Sequence, residues 1–229
     1  MAQQKFSAAT NEKPKSLVDD KLKPNAEMHI LVGGPYTDTS GEEHRYGHTA
    51  LRIKTTKSDL TYDFGRYGKT SGTFGESGEG ILRVWGTFQP YINGEIILKR
   101  KTTGFVYAIF DHQANAVNTY FNELILSGKE LLGKSNGNKK VYRLASDYQA
   151  LGPNCTTLSM DGAKHAITTI DQNSEKFNKP EDVLDFKERL ALKIKGGANR
   201  LFLPANLLAL LSTGQPNKPI RTDIYGSGK

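Results

Sequence analysis

The sequence predicts an α+β fold, with several short strands set as an antiparallel sheet and a few helices around them. Three observations carry this. Residues 48–54 and 60–65 alternate apolar and polar side chains, the period of half-buried strands. The short polar link at 55–59 joins these two runs as a hairpin. Residues 112–127 instead set Val117, Tyr120, Phe121, Leu124 and Ile125 on one face at helical spacing.

In chain order, residues 1–27 are polar, carry Pro14 and Pro24 among mixed charges, and read as a flexible arm. Residues 28–33 (Met-His-Ile-Leu-Val-Gly) are a short apolar strand. A polar loop follows at 34–47, with Pro35, Gly41 and the acidic pair Glu42-Glu43. After the hairpin, residues 66–79 hold Gly68, Gly72, Gly75 and Gly78 and read as a mobile loop. Further strands are expected at 80–85, 94–99 and 104–110. The helix at 112–127 ends before Gly128, and a polar turn at 134–140 leads to a strand at 141–144.

Gly152 and Pro153 break the chain, and Asn154 is a good N-cap. A helix is expected over 156–170. It sets Ser159, Gly162, Ala163 and Ala166 near one face, small residues that let a helix approach a sheet closely. Pro180 opens another helix, with Glu181 and Asp182 in its first turn, lysines near its end and Gly196-Gly197 as its stop. Residues 204–211 are a short, very apolar segment expected to dock on the core. From Thr213 the chain reads as a loop-like tail. The expected division is an arm at 1–27, one domain over 28–212 and a tail at 213–229.

Composition narrows the function classes. Hydrophobic residues make up 37% of the 229 residues and the mean hydropathy is −0.53, which suits a soluble protein with a sizeable core. A single cysteine excludes an intramolecular disulfide and a multi-cysteine zinc site. None of the five histidines forms a His-x-x-x-His pair on an expected helix, so neither metal nor cofactor is expected. Net charge is +7 and the pI is about 9.3, which suits nucleic acid, anionic lipid or an anionic wall polymer. The lysines are scattered and no basic run interleaves with aromatics, so a solvated basic surface is expected and no nucleic-acid partner. No apolar run approaches a membrane span, and stable membrane insertion is not expected. No apolar core of signal-peptide length stands behind Met1–Lys5, so synthesis in the cytoplasm is expected, with another machine carrying the protein if it acts elsewhere.

Cys155 falls where a loop turns into a helix. A thiol in a first helical turn feels the positive end of the helix dipole, which favours the reactive thiolate. The plain alternative is a small buried hydrophobe. A nucleophilic cysteine needs a proton acceptor, most often histidine. His165, ten residues on, would lie about 15 Å away along the same helix. His112 opens its helix, His29 lies inside the first apolar strand, and His44 sits in the acidic loop. His48 follows a glycine at the head of a strand, where a side chain projects from the sheet end, and is the best candidate. Asp63 on the next strand is the candidate to orient its ring, with Glu42, Glu43 and His44 as weaker substitutes. The backbone N–H of Cys155 is a natural oxyanion donor; Tyr36 or Tyr46 would add another.

In order, the chain reads Tyr46-Gly47-His48-Thr49-Ala50-Leu51-Arg52-Ile53, a strand with Asp63, a helix, Tyr142-Arg143-Leu144, then Asn154-Cys155-Thr156-Thr157. This resembles the circularly permuted NlpC-like, papain-like cysteine hydrolases, in which the histidine strand precedes the cysteine helix. The resemblance covers residues 28–170. It implies an antiparallel sheet with the cysteine helix packed on it, Cys155 as nucleophile, His48 as base and Asp63 as orienter; the additional C-terminal helices expected from the residues lie beyond it. It implies cleavage of amide bonds in peptides or peptidoglycan stems, or in some members hydrolysis or transfer of lipid acyl groups. Several members without signal peptides are antibacterial effectors delivered by a contact-dependent machine such as the type VI system. The expectation is therefore an amidase or endopeptidase acting on cell wall in the target-cell periplasm, with an immunity protein and a secretion carrier as possible partners. Two alternatives stand beside it. One is a lipid acyl hydrolase or acyltransferase with the apolar residues 201–211 near a membrane; the other is a non-catalytic binding module in which Cys155 is inert.

Overall fold

The computed structural model describes residues 23–38, 41, 43–71, 77–194, 196, 199–214 and 216–227. Most of the expected N-terminal arm, residues 1–22, lies outside them, as do Glu42 and residues 72–76 of the glycine-rich loop.

The fold is α+β, organised on one eight-stranded sheet. Its strands are β1 (Ala26–Gly33), β2 (His48–Lys54), β3 (Asp59–Gly65), β4 (Ile81–Trp85), β5 (Thr102–Ile109), β6 (Lys129–Glu130), β7 (Lys139–Arg143) and β8 (Arg221–Tyr225). The spatial order is β6-β7-β4-β3-β2-β1-β5-β8, and every neighbouring pair is antiparallel. Among the described residues, six α-helices accompany the sheet: α1 (Phe88–Ile97), α2 (Asp111–Leu126), α3 (Cys155–Lys164), α4 (Ser174–Phe177), α5 (Phe186–Ile194) and α6 (Pro204–Ala209).

The alternation along the strands divides the core. Met28, Ile30, Leu51, Ile53, Tyr62 and Phe64 point to one face, where they join Val117 and Phe121 of α2, Leu158 and Ala163 of α3, and Leu207 of α6. Leu31 and Ala50 point to the other face and pack against Phe88, Tyr91 and Ile92 of α1. Side chains that alternate on a pleat reach opposite faces, so the central strands are covered on both sides. Gly162 sets how close α3 comes. A Cβ there would lie 2.6 Å from the Phe121 ring and 3.1 Å from Leu51, so the small-residue face does let the helix settle onto sheet and α2 together. A satellite cluster of Leu192, Phe202 and Leu203, with Tyr46 and Leu151, ties α5 to the rim of the domain.

Four expectations are corrected. Residues 94–99 are not a strand: 94–97 are the last turn of α1 and 98–99 the turn that follows it. The Ile96-Ile97-Leu98 run imitates a strand, yet it is Phe88, Tyr91 and Ile92, at helical spacing, that are buried against the sheet, while Ile97 is 79% exposed. The helix expected over 156–170 ends at Lys164. Beyond it, β-branched Ile167-Thr168-Thr169-Ile170 disfavour helix, and the chain runs in tight turns such as Ile170 N–H to Ile167 carbonyl. The helix opened by Pro180 is only a single 3₁₀ turn, and α5 begins separately. There Asp185 caps reciprocally, with Glu188 N–H donating to Asp185 Oδ1 and Asp185 N–H to Glu188 Oε2. The tail after Thr213 is not all loop. β8 pairs with β5 from Arg221↔Val106 to Tyr225↔Thr102, and Arg221 reaches across to Glu27 of β1 at 2.6 Å, so the fold extends past residue 212 to Tyr225. The prolines at 216 and 219 mark the approach to this edge strand, not the end of order.

Residues 204–211 dock on the core as expected, and 201–203 are buried with them. Leu201, Phe202, Leu203, Leu207, Leu210 and Leu211 are all buried, while Ala205 and Ala209 are exposed and Leu208 is half-buried. No helix among the described residues is long and apolar enough to cross one.

Candidate active site

Cys155 is the first residue of α3, and its position is fixed by the cap before it. The Asn154 side chain accepts from Thr157 N–H at 3.0 Å, while Asn154 N–H donates to Thr157 Oγ1 at 2.8 Å. The Asn154 amide also donates to the carbonyls of Ala150 and Phe202 at 2.6 and 3.1 Å. A second clamp joins the helix start to the sheet: Thr156 Oγ1 lies 3.1 Å from Thr49 Oγ1 at the head of β2.

Gly47 makes the entry to β2 possible. Its φ of +74° lies in the left-handed region, and a Cβ would meet the Gly33 carbonyl oxygen at 2.4 Å. The β2–β3 register pairs Leu51 with Tyr62; continued by one residue it sets Ala50 beside Asp63. His48 is then the diagonal neighbour of Asp63 on the same face. The two meet, with His48 Nε2 2.7 Å from Asp63 Oδ1. Across the next pair Asp63 faces Arg83 of β4, whose Nε donates to Asp63 Oδ2 at 2.7 Å. Tyr67 closes the ring, donating to Asp63 Oδ1 at 2.8 Å with its hydroxyl 3.3 Å from His48 Nε2. The Arg83 guanidinium stacks 3.4 Å over the Tyr67 ring. Asp63 is wholly buried, and each of its oxygens is engaged.

The expected trio therefore converges, from both sides of the sheet. His48, Asp63 and Arg83 belong to the face that carries α1, and α3 lies on the opposite face. They meet where α3 starts beside the head of β2, and the Cys155 thiol is a hydrogen-bond partner of His48. With Nε2 engaged by Asp63, Nδ1 is the ring nitrogen left for the thiol.

The electrostatics favour an ion pair. Burial opposes the charged form of each group. For Cys155, the hydrogen bond and charge of His48, then the Thr49 backbone N–H and the Thr156 hydroxyl, outweigh it and lower the thiol pKa. For His48, the Asp63 carboxylate and its hydrogen bond, then Cys155, outweigh burial and raise the imidazole to about 10. Burial likewise works against an ionised Asp63, but Arg83 and His48 hold it far below the usual carboxylate range. Arg83 is thus the charge on which the rest of the chain of partners depends.

A cleft of about 710 Å³ is lined by the Cys155 thiol together with His48, Arg66, Tyr67 and Tyr148 and with Glu188 and Leu192 of α5. Arg66, Tyr67 and Thr70 bring the start of the glycine-rich loop to its border. Tyr148 is a hydrogen-bond partner of Cys155 through its hydroxyl, and burial raises its pKa well above the usual value. Of the two tyrosines singled out in the sequence, Tyr46 instead donates to Glu188, and Tyr36 stacks on His44 with ring centroids 4.4 Å apart.

The other histidines are occupied elsewhere: His29 with Glu27 inside β1, His44 with Asp38, His112 against Phe110 and His165 against Tyr120. Glu43, a weaker substitute for Asp63, stands in a two-residue hairpin with Thr37. Sequence reasoning missed Arg83, Tyr67 and Tyr148. The strand at 80–85 was legible, and its register with β3 would have placed Arg83 opposite Asp63. Tyr67 lies in irregular backbone, and Tyr148 in a two-residue strand, Tyr148–Gln149, paired with Ser77 and Gly78; neither carries such a signal. No group of three or more metal-ligating side chains gathers among the described residues. Comparison of the chain with family models, with curated proteins and with solved structures found no match.

Proposed function

We propose that the chain is a thiol hydrolase of the permuted papain-like kind that cleaves amide bonds, with peptidoglycan stem peptides as its substrate class and other bacteria as its target. The observation that carries this reading is the convergence of Cys155, His48 and Asp63 on a cleft, from positions far apart in sequence.

The arrangement supports a two-step reaction. The Cys155 thiolate attacks the amide carbonyl carbon, and the oxyanion that forms is met by the N–H of Cys155, which the helix leaves unpaired, and by the Tyr148 hydroxyl. Imidazolium His48 passes its Nδ1 proton to the amide nitrogen as the C–N bond breaks, and the amine leaves a thioester on Sγ. His48 then takes a proton from water, whose oxygen attacks the thioester; the C–S bond breaks and the carboxylic acid departs. Asp63 holds the ring through Nε2 and stabilises its charge, and Arg83 keeps Asp63 ionised.

The test is digestion of purified peptidoglycan, read as muropeptide profiles. The protein shortens or releases stem peptides, and Cys155→Ala and His48→Ala abolish this while melting as folded proteins. An unchanged profile from protein whose Cys155 is rapidly alkylated below neutral pH would overturn the substrate class; a Cys155 that resists alkylation would overturn the hydrolase.

A further inference from the structure

α5 carries its side chains the wrong way round for a helix selected only to fold. Its buried residues are Glu188 and Leu192, and Glu188 is ion-paired with Arg45 at 2.5 Å. Its outer side presents Phe186, Leu190 and Ile194, which are 71%, 48% and 77% exposed. At about 100° per residue these three fall within an arc of roughly 80°, a continuous apolar stripe about 12 Å long. Arg189 and Lys193 border it on one side and Lys187 on the other, and all three are exposed. Amphipathic helices of surface proteins turn the apolar stripe inward; an outward stripe rimmed by cations is the pattern of a helix that lies in a lipid headgroup layer.

We propose that the outer face of α5 docks the protein on an anionic lipid surface. Charge decides the occupant: the stripe is edged by three cations and the whole chain carries +7, so its complement is an apolar layer with negative headgroups. Attachment is peripheral, through one short helix. The position has a consequence for the cleft, because Glu188, Ala191 and Leu192 on the inner side of α5 line it. The cleft then lies about one helix diameter, 10–12 Å, from the headgroups. This inference stands apart from the hydrolase reading, and its test needs no turnover.

The experiment is co-sedimentation of the full chain, wild type and Cys155→Ala, with vesicles of phosphatidylcholine alone and of phosphatidylcholine mixed with phosphatidylglycerol, at low and high salt. Both proteins pellet with the anionic vesicles, less so at high salt, and stay in solution with the neutral ones. Replacing Phe186, Leu190 and Ile194 together by serine weakens binding at least about tenfold. Lys187→Gln and Lys193→Gln each weaken it about fivefold. All five side chains are exposed, so unchanged melting temperatures verify the fold. Equal binding to both vesicle types, no binding to either, or wild-type binding by the serine variant overturns the proposal. A dimer in size-exclusion chromatography that the serine variant splits also overturns it, by making a second copy of the chain the occupant.

Discussion

Asp63→Asn isolates the electrostatic role of a single group, because the amide keeps the size of the carboxylate and removes only its charge. In the native protein that carboxylate is 0% exposed and faces His48 at 2.7 Å, Tyr67 at 2.8 Å and Arg83 at 2.7 Å. Two effects follow. Removing one member of a buried ion pair costs about 3–5 kcal/mol, because the partner charge is left uncompensated. The Arg83 side chain retains 24% exposure and partly rehydrates, so the lower end, about 3 kcal/mol, applies. For a chain of this size that lowers Tm by about 6–12 °C. The second effect falls on His48. A hydrogen bond to a charged group contributes about 1.5–3 kcal/mol, and 1.36 kcal/mol is one pKa unit, so the imidazolium loses about one to two units. The Cys155 thiolate loses the same counterion in turn. The pH profile of iodoacetamide alkylation reads this directly: its lower midpoint moves up in Asp63→Asn, toward the ordinary thiol value of about 8.5. Thermal melts and alkylation rates from pH 4 to about pH 10 cover the range. An unchanged alkylation profile together with an unchanged Tm would refute the placement of Asp63 as the group that sets the state of His48.

The remaining predictions concern packing, acid sensitivity and the oxyanion. Gly162→Ala drives a methyl into the Phe121 ring and costs about 1–3 kcal/mol, seen as a lower urea midpoint with an unchanged slope; a neutral result would mean α3 rides higher on the sheet. His29 is 1% exposed, and burial, then Arg52, against the pull of Glu27, lowers its pKa to about 4. Its folded pKa lies below the unfolded value of about 6.5, so the unfolded chain binds the extra proton and stability falls as pH drops from about 6.5 to 4, by about 3 kcal/mol. His29→Gln removes that share of the acid slope in urea titrations at stepped pH; an identical slope would refute it. Tyr148→Phe slows thioester formation by about 10²-fold if its hydroxyl meets the oxyanion, measured by single-turnover acylation with an activated ester, while alkylation of Cys155 proceeds. Equal acylation rates would remove Tyr148 from that role.

Much of this site was legible because its parts sit at element ends with strong local signals. Asn154 before a helix and Gly47 before a strand are such signals, and the short 55–59 link fixed the hairpin that places Asp63 diagonal to His48. What escaped was set by tertiary packing. The Ile96-Ile97-Leu98 run has strand-like composition, and only the burial of Phe88, Tyr91 and Ile92 on the second face of the sheet makes it helical. The strand at 221–225 is mostly polar because it lies at an edge with one exposed face, and a polar edge strand without alternation reads as loop. Tyr67 reaches the site from irregular backbone and Tyr148 from a strand of only two residues, too short for spacing to carry a direction.

The Thr49–Thr156 clamp joins two segments 107 residues apart, and the thiol depends on that closure for its chemistry. Most buried cysteines become more reactive when a protein unfolds, because the reagent gains access. Here a second effect opposes access: the unfolded chain offers an exposed thiol of ordinary acidity, and the folded one a sheltered thiol whose pKa His48 lowers. Cys155 is therefore an internal reporter of the native state. A nascent or partly folded chain, in which His48 does not yet face the thiol, lacks that lowering until α3 seats against β2.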